Sequence, residues 1–197
     1  MLILVRHGES VLNKENRLVG HLDPQLTELG ERQARAAGTL LDAVSELRTS
    51  PLERTRVTAG LLGTIHEAVV EPRMIELDYG ELDGMPLAEV DPELWRRWMT
   101  DAAFAPAQGE SLSALGARVG DVMEELFEAD GAGARSREGD VVIVSHVSPI
   151  KAAVAWALGT GDLTAWRLRL STGSVTRIAM GPAGPQLLSF NEVPSLA

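Results

Sequence analysis

Leu2-Ile3-Leu4-Val5 opens the sequence as a wholly apolar run and leads directly into Arg6-His7-Gly8-Glu9-Ser10. Because the run shows no alternation of apolar and polar residues, it predicts a strand that is buried on both faces. Strands of this kind belong to parallel sheets that are covered by helices on each side, so the sequence favours an α/β fold. The polar residues after the run would then lie at the carboxyl end of a central strand.

A second apolar run of the same kind, Val141-Val142-Ile143-Val144, is followed by Ser145-His146. In open α/β sheets, ligands bind beyond the carboxyl ends of the strands. Parallel pairing of the two runs therefore predicts that His7 and His146 meet at one edge of the sheet.

A basic residue is predicted to reach the same edge from a helix start. Ser50-Pro51-Leu52-Glu53 predicts that start, with its serine as N-cap, its proline in the first helical position and its glutamate completing a capping box. Arg54 then lies in the first turn of the helix. If residues 46–49 form a parallel strand, Arg54 joins Arg6 beside the two histidines. Because the planar guanidinium group matches phosphate oxygens, the edge is predicted to bind a phosphoryl group.

The rest of the chain continues the alternation of strands and helices. Residues 78–110 predict an irregular but packed insertion, because glycine and proline interrupt them while Trp95 and Trp98 lie inside. The whole pattern predicts one domain over residues 1–197, a three-layer α/β sandwich with a mainly parallel central sheet. The remaining predicted elements are helices over 29–44, 112–126 and 148–158, strands over 69–74, 167–178 and 186–190, a polar loop over 131–139 and a turn over 181–184.

The composition excludes several classes of function. The chain has 197 residues and no cysteine, so disulfides, thiolate catalysis and cysteine-based zinc sites are excluded. Its formal net charge of −10 disfavours a nucleic-acid binder, whose binding face is usually basic. No His-Glu-x-x-His motif or other close histidine spacing indicates a metal site. We therefore expect no metal and no cofactor.

The sequence also suggests where the protein works. No apolar run approaches the length of a membrane span, and the apolar start over residues 1–5 is too short for a signal-peptide core. We expect a cytoplasmic protein whose partner is a small-molecule phosphate monoester, with neither nucleic acid nor membrane as a partner. The sequence does not fix the oligomeric state, and a homodimer stays an option.

Five short motifs occur in the order and spacing of a known family over nearly the whole chain. The first, residues 4–10 with Asn13 six positions beyond His7, resembles the signature of the histidine phosphatase superfamily, also called phosphoglycerate mutase-like. An isolated Arg-His-Gly would be weak evidence, whereas five motifs in order are specific. The other four motifs are residues 50–59, residues 76–84, Gly109-Glu110-Ser111 and Val144-Ser145-His146.

The resemblance implies phosphoryl transfer through a phosphohistidine. His7 would attack phosphorus in line and hold the phosphoryl group covalently, which splits one difficult step into two. A neutral imidazole is competent for this attack near pH 7, because its unperturbed pKa is about 6.5. Glu76 would protonate the leaving oxygen and later help to deprotonate water. The phosphoryl oxygens would be bound by Arg6, Asn13, Arg54 and His146.

The resemblance further implies contacts with the substrate. Gly20 lies in a segment similar to the family's substrate loop, and Tyr79 lies in the third motif. Val147 stands where the family often has glycine after the last histidine, which predicts a narrower pocket and puts the usual backbone contact there in question. His21 is expected to be non-catalytic, although a contact with substrate stays open. His66 is expected to be solvated, late in a helix.

Several roles stay open at this level. Glu81 and Asp83 are neighbouring carboxylates that could also supply the acid. Trp95 and Trp98 could either pack in the core or line the leaving-group pocket. The pair Arg96-Arg97 resembles basic residues that hold the substrate carboxylate in cofactor-dependent phosphoglycerate mutases, and the alternative is a solvated basic pair.

Three functions are compatible with these motifs: a phosphatase of small phosphorylated metabolites, a phosphoglycerate mutase, and a non-enzymatic phospholigand-binding module. In the family, mutases carry longer insertions and a tail that shields the phosphoenzyme from water. Here 25 residues lie between Gly84 and Glu110, and the segment after Phe190 is short. Because an open site cannot protect a reactive intermediate from water, hydrolysis is favoured. A binding module would need neither a nucleophile nor an acid.

Overall fold

A computed structural model of the chain describes residues 1–131 and 139–196. Within these ranges the molecule has one sheet of six strands, in the spatial order β3-β2-β4-β1-β5-β6. The polar loop predicted over 131–139 falls almost entirely outside the described residues. The strands are β1 (Leu2–Arg6), β2 (Val44–Thr49), β3 (Val69–Val70), β4 (Asp140–Ser145), β5 (Val175–Gly181) and β6 (Gly184–Glu192).

The sheet is mainly parallel, as predicted. Strands β3, β2, β4 and β1 run parallel to one another, and β5 and β6 add an antiparallel hairpin beside β1. The two apolar runs that predicted the fold are neighbours in the centre, with Leu2 opposite Val141 and Arg6 opposite Ser145. Their carboxyl ends therefore lie at the same edge of the sheet.

Helices cover both faces of the sheet and make it a three-layer sandwich. Helices α5 and α6 pack over Leu4 and Ile143 on one face, and α2 and α3 pack over Ile3 and Val142 on the other. Because neighbouring strand residues point to opposite faces, both central strands must be apolar throughout. The helices are α1 (Val11–Lys14), α2 (Glu28–Gly38), α3 (Glu53–Leu61), α4 (Pro92–Thr100), α5 (Leu112–Gly131) and α6 (Val147–Ala157).

The predicted helix over 29–44 was too long at its carboxyl end. Helix α2 ends at Gly38, and Val44 belongs to strand β2. Leu40 and Val44 pack against the same core as the helix, and this shared burial explains why their spacing fitted a helical period. A side chain at Gly38 would collide with the Leu62 carbonyl, so the end of α2 lies tightly against the end of α3.

Two predicted strands are shorter in the structure. Strand β3 ends at Val70, and Pro72–Met74 forms a 3₁₀ turn, because proline cannot donate to a sheet. The strand predicted over 167–178 begins at Val175, and Asp162–Arg167 before it forms another 3₁₀ segment. The predicted turn over 181–184 is present and joins β5 to β6.

The insertion over residues 78–110 is packed, as predicted, but it is not irregular throughout. It contains α4, which begins at Pro92. The preceding residue, Asp91, is the N-cap, and its side chain accepts a hydrogen bond from the Glu93 amide. Trp98 on this helix is fully buried. Among the described residues, no helix is long and apolar enough to cross a membrane.

Candidate active site

The two predicted histidines meet at the carboxyl edge of the central strands. His7 follows β1 and His146 follows β4, and their ring centroids lie 5.1 Å apart with the rings inclined by 63°. Both side chains are buried. The parallel register of β1 and β4 places them side by side, which is the juxtaposition expected from the two apolar runs.

The His7 ring is held in one orientation by its own neighbour. Its Nδ1 lies 2.7 Å from the Gly8 carbonyl oxygen, so Nδ1–H donates and Nε2 keeps a free lone pair. Burial lowers the pKa of His7 well below its ordinary value, and the positive charges of Arg54 and Arg6 lower it further. The imidazole is therefore neutral near pH 7, and Nε2 is available as a nucleophile.

The His146 ring is held by Ser50, which the sequence predicted to be the N-cap of a helix. Its Nε2 lies 2.7 Å from Ser50 Oγ, and this oxygen also accepts from the Leu52 amide at 3.4 Å. In the tautomer in which the Ser50 hydroxyl donates to Nε2, Nδ1–H of His146 is a donor that has no partner. Burial lowers the pKa of His146 as well. The predicted N-cap role of Ser50 was wrong: α3 begins at Glu53, and its N-cap residue, Leu52, offers no side-chain hydrogen bond.

The guanidinium group of Arg54 is fully buried and is held by a neighbouring loop. Its two terminal nitrogens donate to the carbonyl oxygens of Leu22 and Gly20, each at 2.7 Å. One of them also lies 3.3 Å from an Asp23 carboxylate oxygen. Burial lowers the pKa of Arg54, whereas the nearby Glu76 and Asp23 raise it.

Asp23 supplies the cap that the local sequence of α3 lacks. Its carboxylate accepts from the Glu53 amide at 2.5 Å and from the Arg54 amide at 3.3 Å. A carboxylate at a helix N-terminus satisfies free amides and interacts favourably with the helix dipole. The same group therefore begins the helix and orients Arg54. Sequence analysis missed it because Asp23 lies about thirty residues before the helix that it caps.

Replacing Asp23 by alanine is expected to destabilise the fold and to weaken phosphoryl binding. The lost cap costs about 1 kcal/mol, and a mobile Arg54 lowers kcat/KM roughly tenfold, the scale of one charge-assisted hydrogen bond. Asp91→Ala is the matched control, because Asp91 caps α4 and makes no contact with Arg54. Thermal unfolding and the inhibition constant of inorganic phosphate measure the two effects. Equal inhibition constants in both variants would contradict the positioning role of Asp23.

Arg6 completes a group of buried nitrogens that have no hydrogen-bond partner. One terminal nitrogen of Arg6 donates to the Leu170 carbonyl at 2.6 Å, and its Nε has no partner. Leaving a buried donor unsatisfied costs about 1–3 kcal/mol, so an acceptor is expected at each such atom. Within the described residues, the buried side-chain atoms without a partner are Arg6 Nε, Arg54 Nε, His146 Nδ1, Trp98 Nε1 and Ser189 Oγ. Three of them belong to the residues predicted to bind a phosphoryl group.

The carboxylate of Glu76 is held by three backbone amides. It accepts from Leu77 at 2.8 Å and from Val147 and Ser148, in the first turn of α6, at 3.2 Å each. Glu76 is buried yet lines the same cavity as His7. The Val147 amide, whose role the sequence left in question, therefore holds the predicted acid.

The two alternative carboxylates lie elsewhere. Glu81 is exposed and accepts from the Gln108 side chain at 3.1 Å. Asp83 accepts from the amides of Gly20 and Leu22 at 2.7 and 2.8 Å, and so fixes the loop that holds Arg54. Neither carboxylate lines the cavity beside His7, whereas Glu76 does, together with Glu9, whose carboxylate accepts from the Thr27 hydroxyl at 2.8 Å. Of the three carboxylates that the sequence offered as the acid, the cavity favours Glu76.

Three predicted substrate contacts have different surroundings. Asn13 lines the cavity, and its side-chain oxygen accepts from the Ser10 amide and hydroxyl, so its amino group is left for a ligand. Tyr79 also lines the cavity, 3.5 Å from Ser148 Oγ, and burial raises the pKa of its hydroxyl. Gly20 does not line it; both of its backbone polar groups are engaged, by Asp83 and by Arg54.

A cavity of about 570 Å³ opens in front of His7 and Glu76. Trp95 lines it, whereas Trp98 stacks behind Trp95 with ring centroids 5.7 Å apart. Trp95 therefore lines the cavity and Trp98 packs in the core, which are the two alternatives that the sequence left open for both residues. The cavity lining also includes Arg17, Leu87, Lys151, Trp166, Arg169, Leu170, Ser171 and Thr172.

Four residues considered from the sequence lie outside this cavity. Arg96 is paired with Glu93 at the surface, and Arg97 lies over the Phe104 ring at 4.3 Å. His21 Nε2 lies 3.0 Å from the backbone carbonyl oxygen of Glu76, and His21 does not line the cavity. His66 is half-exposed but follows the end of α3, so its predicted helical position was wrong.

The cavity wall also contains Lys151, Trp166 and Arg169, which were not predicted from the sequence. Lys151 lies four residues after Val147 on α6 and therefore on the same helix face, a spacing that could have identified it. Arg169 lies in the stretch 167–178 that was predicted as a strand, and Trp166 directly precedes it. No pattern in the sequence predicted that either residue belongs to a site. Among the described residues, no group of three or more histidine, aspartate or glutamate side chains is arranged to hold a metal ion.

The model of the histidine phosphatase superfamily (branch 1) matches residues 2–193, and the chain belongs to this superfamily.

Among curated relatives, a bifunctional protein of Mycobacterium tuberculosis is 35% identical over 185 residues, covering 89% of this chain and 49% of that protein. The chain thus spans about half the length of the first curated relatives that it matches. Phosphoserine phosphatase 1 of Hydrogenobacter thermophilus is 34% identical over 198 residues, covering 96% of this chain and 91% of that protein. Probable phosphoglycerate mutases also occur among the relatives.

The solved structures include a mycobacterial glucosyl-3-phosphoglycerate phosphatase in complex with VO3. Its TM-score to this chain is 0.85 at 30% identity, covering 97% of this chain and 98% of that one.

Proposed function

We propose that the protein hydrolyses small phosphate monoesters through a phosphohistidine formed on His7. The observation that carries this proposal is the set of buried nitrogens without acceptors on Arg6, Arg54 and His146, close to the His7 ring. Such nitrogens suit the oxygens of a phosphoryl group, whose negative charge two guanidinium groups neutralise.

The first step forms the phosphoenzyme. Nε2 of the neutral His7 attacks phosphorus as the bond from phosphorus to the leaving oxygen breaks. Glu76, protonated in this step, gives its proton to the leaving oxygen. The hydrogen bond from Nδ1 to the Gly8 carbonyl keeps Nε2 directed at phosphorus and disperses the positive charge that develops on the ring.

The second step releases phosphate. Water attacks phosphorus, Glu76 now accepts a proton from that water, and the bond between phosphorus and Nε2 breaks. Neutral His7 is restored, and the proton on Glu76 is ready for the next substrate. Proton transfer by Glu76 in both directions requires a fixed position, which the three amides at its carboxylate provide.

The cavity suits a small organic leaving group. Its volume of about 570 Å³ lies in the range of sites for small molecules. Trp95, Trp166 and Leu87 give it an apolar wall. The carboxylate-binding role weighed for Arg96 and Arg97 has no support in their positions, because both side chains lie outside the cavity.

The proposal includes a cytoplasmic location and a small phosphate monoester as the partner, with neither nucleic acid nor membrane involved. The lack of cysteine suits a reducing compartment such as the cytoplasm. The net charge of −10 disfavours nucleic acid as a partner. The homodimer stays a prediction for a measurement of mass in solution.

Phosphate release from a panel of monoesters tests the proposal. We expect steady release from p-nitrophenyl phosphate and several metabolite phosphates, and the same rate in the presence of EDTA. The panel includes 3-phosphoglycerate with and without 2,3-bisphosphoglycerate. Isomerisation with little release would establish the mutase instead, and no turnover on any compound, with phosphate still bound, would support the binding module.

A further inference from the structure

The cavity in front of His7 is more basic than the chain as a whole. The whole chain has a net charge of −10, yet among the described residues the cavity is lined by four cations, Arg6, Arg17, Lys151 and Arg169, and by only two carboxylates, Glu9 and Glu76. Arg17 is engaged by the Glu15 carboxylate and the Gly84 carbonyl. In the part of the chain that the structure describes, neither Lys151 nor Arg169 forms an ion pair, and neither donates a side-chain hydrogen bond.

Lys151 is the more informative of these two cations, because its side chain is half-buried. Burial lowers the pKa of its ammonium group and the neighbouring Arg6 lowers it further, whereas the charge of Glu76 raises it. A cation that is partly removed from water and lies near another cation is unfavourable in the free protein. A second anion on the ligand would offset the part of this cost that Glu76 does not, while Arg6 and Arg54 already match the charge of the phosphoryl group.

The positions of both residues point to the leaving-group side of the phosphoryl site. Lys151 lies one helical turn after Val147, whose amide binds Glu76, and Glu76 marks the place of the leaving oxygen. Arg169 precedes Leu170, whose carbonyl holds Arg6. Arg169 is exposed and Lys151 half-buried, so both lie further out than the buried His7.

We propose that Lys151 and Arg169 bind a second anionic group on the leaving group of the substrate. The preferred substrates would then be phosphate monoesters that carry a carboxylate or a second phosphate beside the apolar wall of Trp95 and Trp166. This inference rests on the proposed phosphatase function and adds the chemical class of the substrate.

Matched pairs of substrates test the inference. Glycerol 3-phosphate is 3-phosphoglycerate with its carboxylate replaced by a hydroxymethyl group, and phosphoethanolamine is phosphoserine without its carboxylate. Glucose 1,6-bisphosphate against glucose 6-phosphate tests a second phosphate as the anion. We expect kcat/KM to favour the more anionic member of at least one pair by about 10- to 100-fold, the range of hydrogen bonds to charged groups.

Variants show whether the two cations cause this preference. Lys151→Met and Arg169→Met are expected to bring the ratio within a pair towards one, mainly through KM of the more anionic member, and Lys151→Arg should keep it. Arg96→Met is the matched control, because Arg96 is an exposed arginine outside the cavity. Thermal unfolding of each variant shows that the fold is retained.

Binding titrations of the same pairs give the ratio independently of turnover. A ratio near one in the wild-type protein would overturn the inference. A Lys151→Met variant whose affinity for both members of a pair falls by the same factor would also overturn it. The proposed function fails separately, if no monoester of the panel, including p-nitrophenyl phosphate, is hydrolysed. In that case the titrations still decide whether these cations bind a second anion.

Discussion

Replacing His7 by alanine is expected to lower kcat/KM for p-nitrophenyl phosphate by at least about 10⁴-fold, the scale on which loss of a covalent nucleophile acts. Alanine leaves no atom that can form the phosphoenzyme, and the other imidazole beside the phosphoryl position is that of His146. In the tautomer in which Ser50 donates to its Nε2, the Nδ1 of His146 carries a hydrogen and cannot attack. Direct attack by water would account for any small remaining rate.

Trapping the phosphoenzyme makes this prediction specific for His7. Wild-type protein quenched during turnover of a ³²P-labelled substrate should carry label that is stable to alkali and labile to acid, and His7→Ala should carry none. His66→Ala is the matched control, since His66 is half-exposed and lies outside the cavity. Labelled His7→Ala, or substantial phosphate release by it, would exclude His7 as the nucleophile.

The position of the site was predictable because it depends on strand ends. Two uninterrupted apolar runs require a sheet that is buried on both faces, and a histidine directly follows each of the strands that they form. Parallel pairing then brings His7 and His146 together, whatever the rest of the chain does. The same reasoning placed Arg54 correctly in the first turn of α3, although the helix begins two residues later than Pro51, where the capping pattern had put it.

What could not be predicted depends on contacts between distant segments. Ser50 has the sequence of a local N-cap, but His146 competes for its hydroxyl and Asp23 caps the helix in its place. Lys151 and Arg169 become neighbours of the active site through the packing of α6 and of the loop before β5. A local pattern records the preference of a segment, whereas these roles are set by partners that arrive from elsewhere in the fold.

Replacing Glu76 by glutamine is expected to lower kcat for alkyl phosphates by about 10²- to 10⁴-fold, the usual contribution of a general acid. An alkoxide is a poor leaving group and needs the proton, whereas p-nitrophenolate leaves without one. The loss for p-nitrophenyl phosphate should therefore be much smaller in the step that forms the phosphoenzyme. Single-turnover measurements with both substrates give this comparison, and Glu81→Gln is the matched control because Glu81 lies outside the cavity.

The comparison of leaving groups also separates chemistry from folding. Glutamine presents an amino group to one of the amides of Leu77, Val147 and Ser148 that the carboxylate of Glu76 satisfies. The variant is therefore expected to unfold more easily, by about 1–3 kcal/mol for a buried donor left unsatisfied. A smaller folded fraction lowers the rates of both substrates by the same factor, so their ratio reports only on proton transfer. Equal losses for the two substrates would mean that Glu76 shapes the site through its amide contacts and that the leaving oxygen receives its proton from another group.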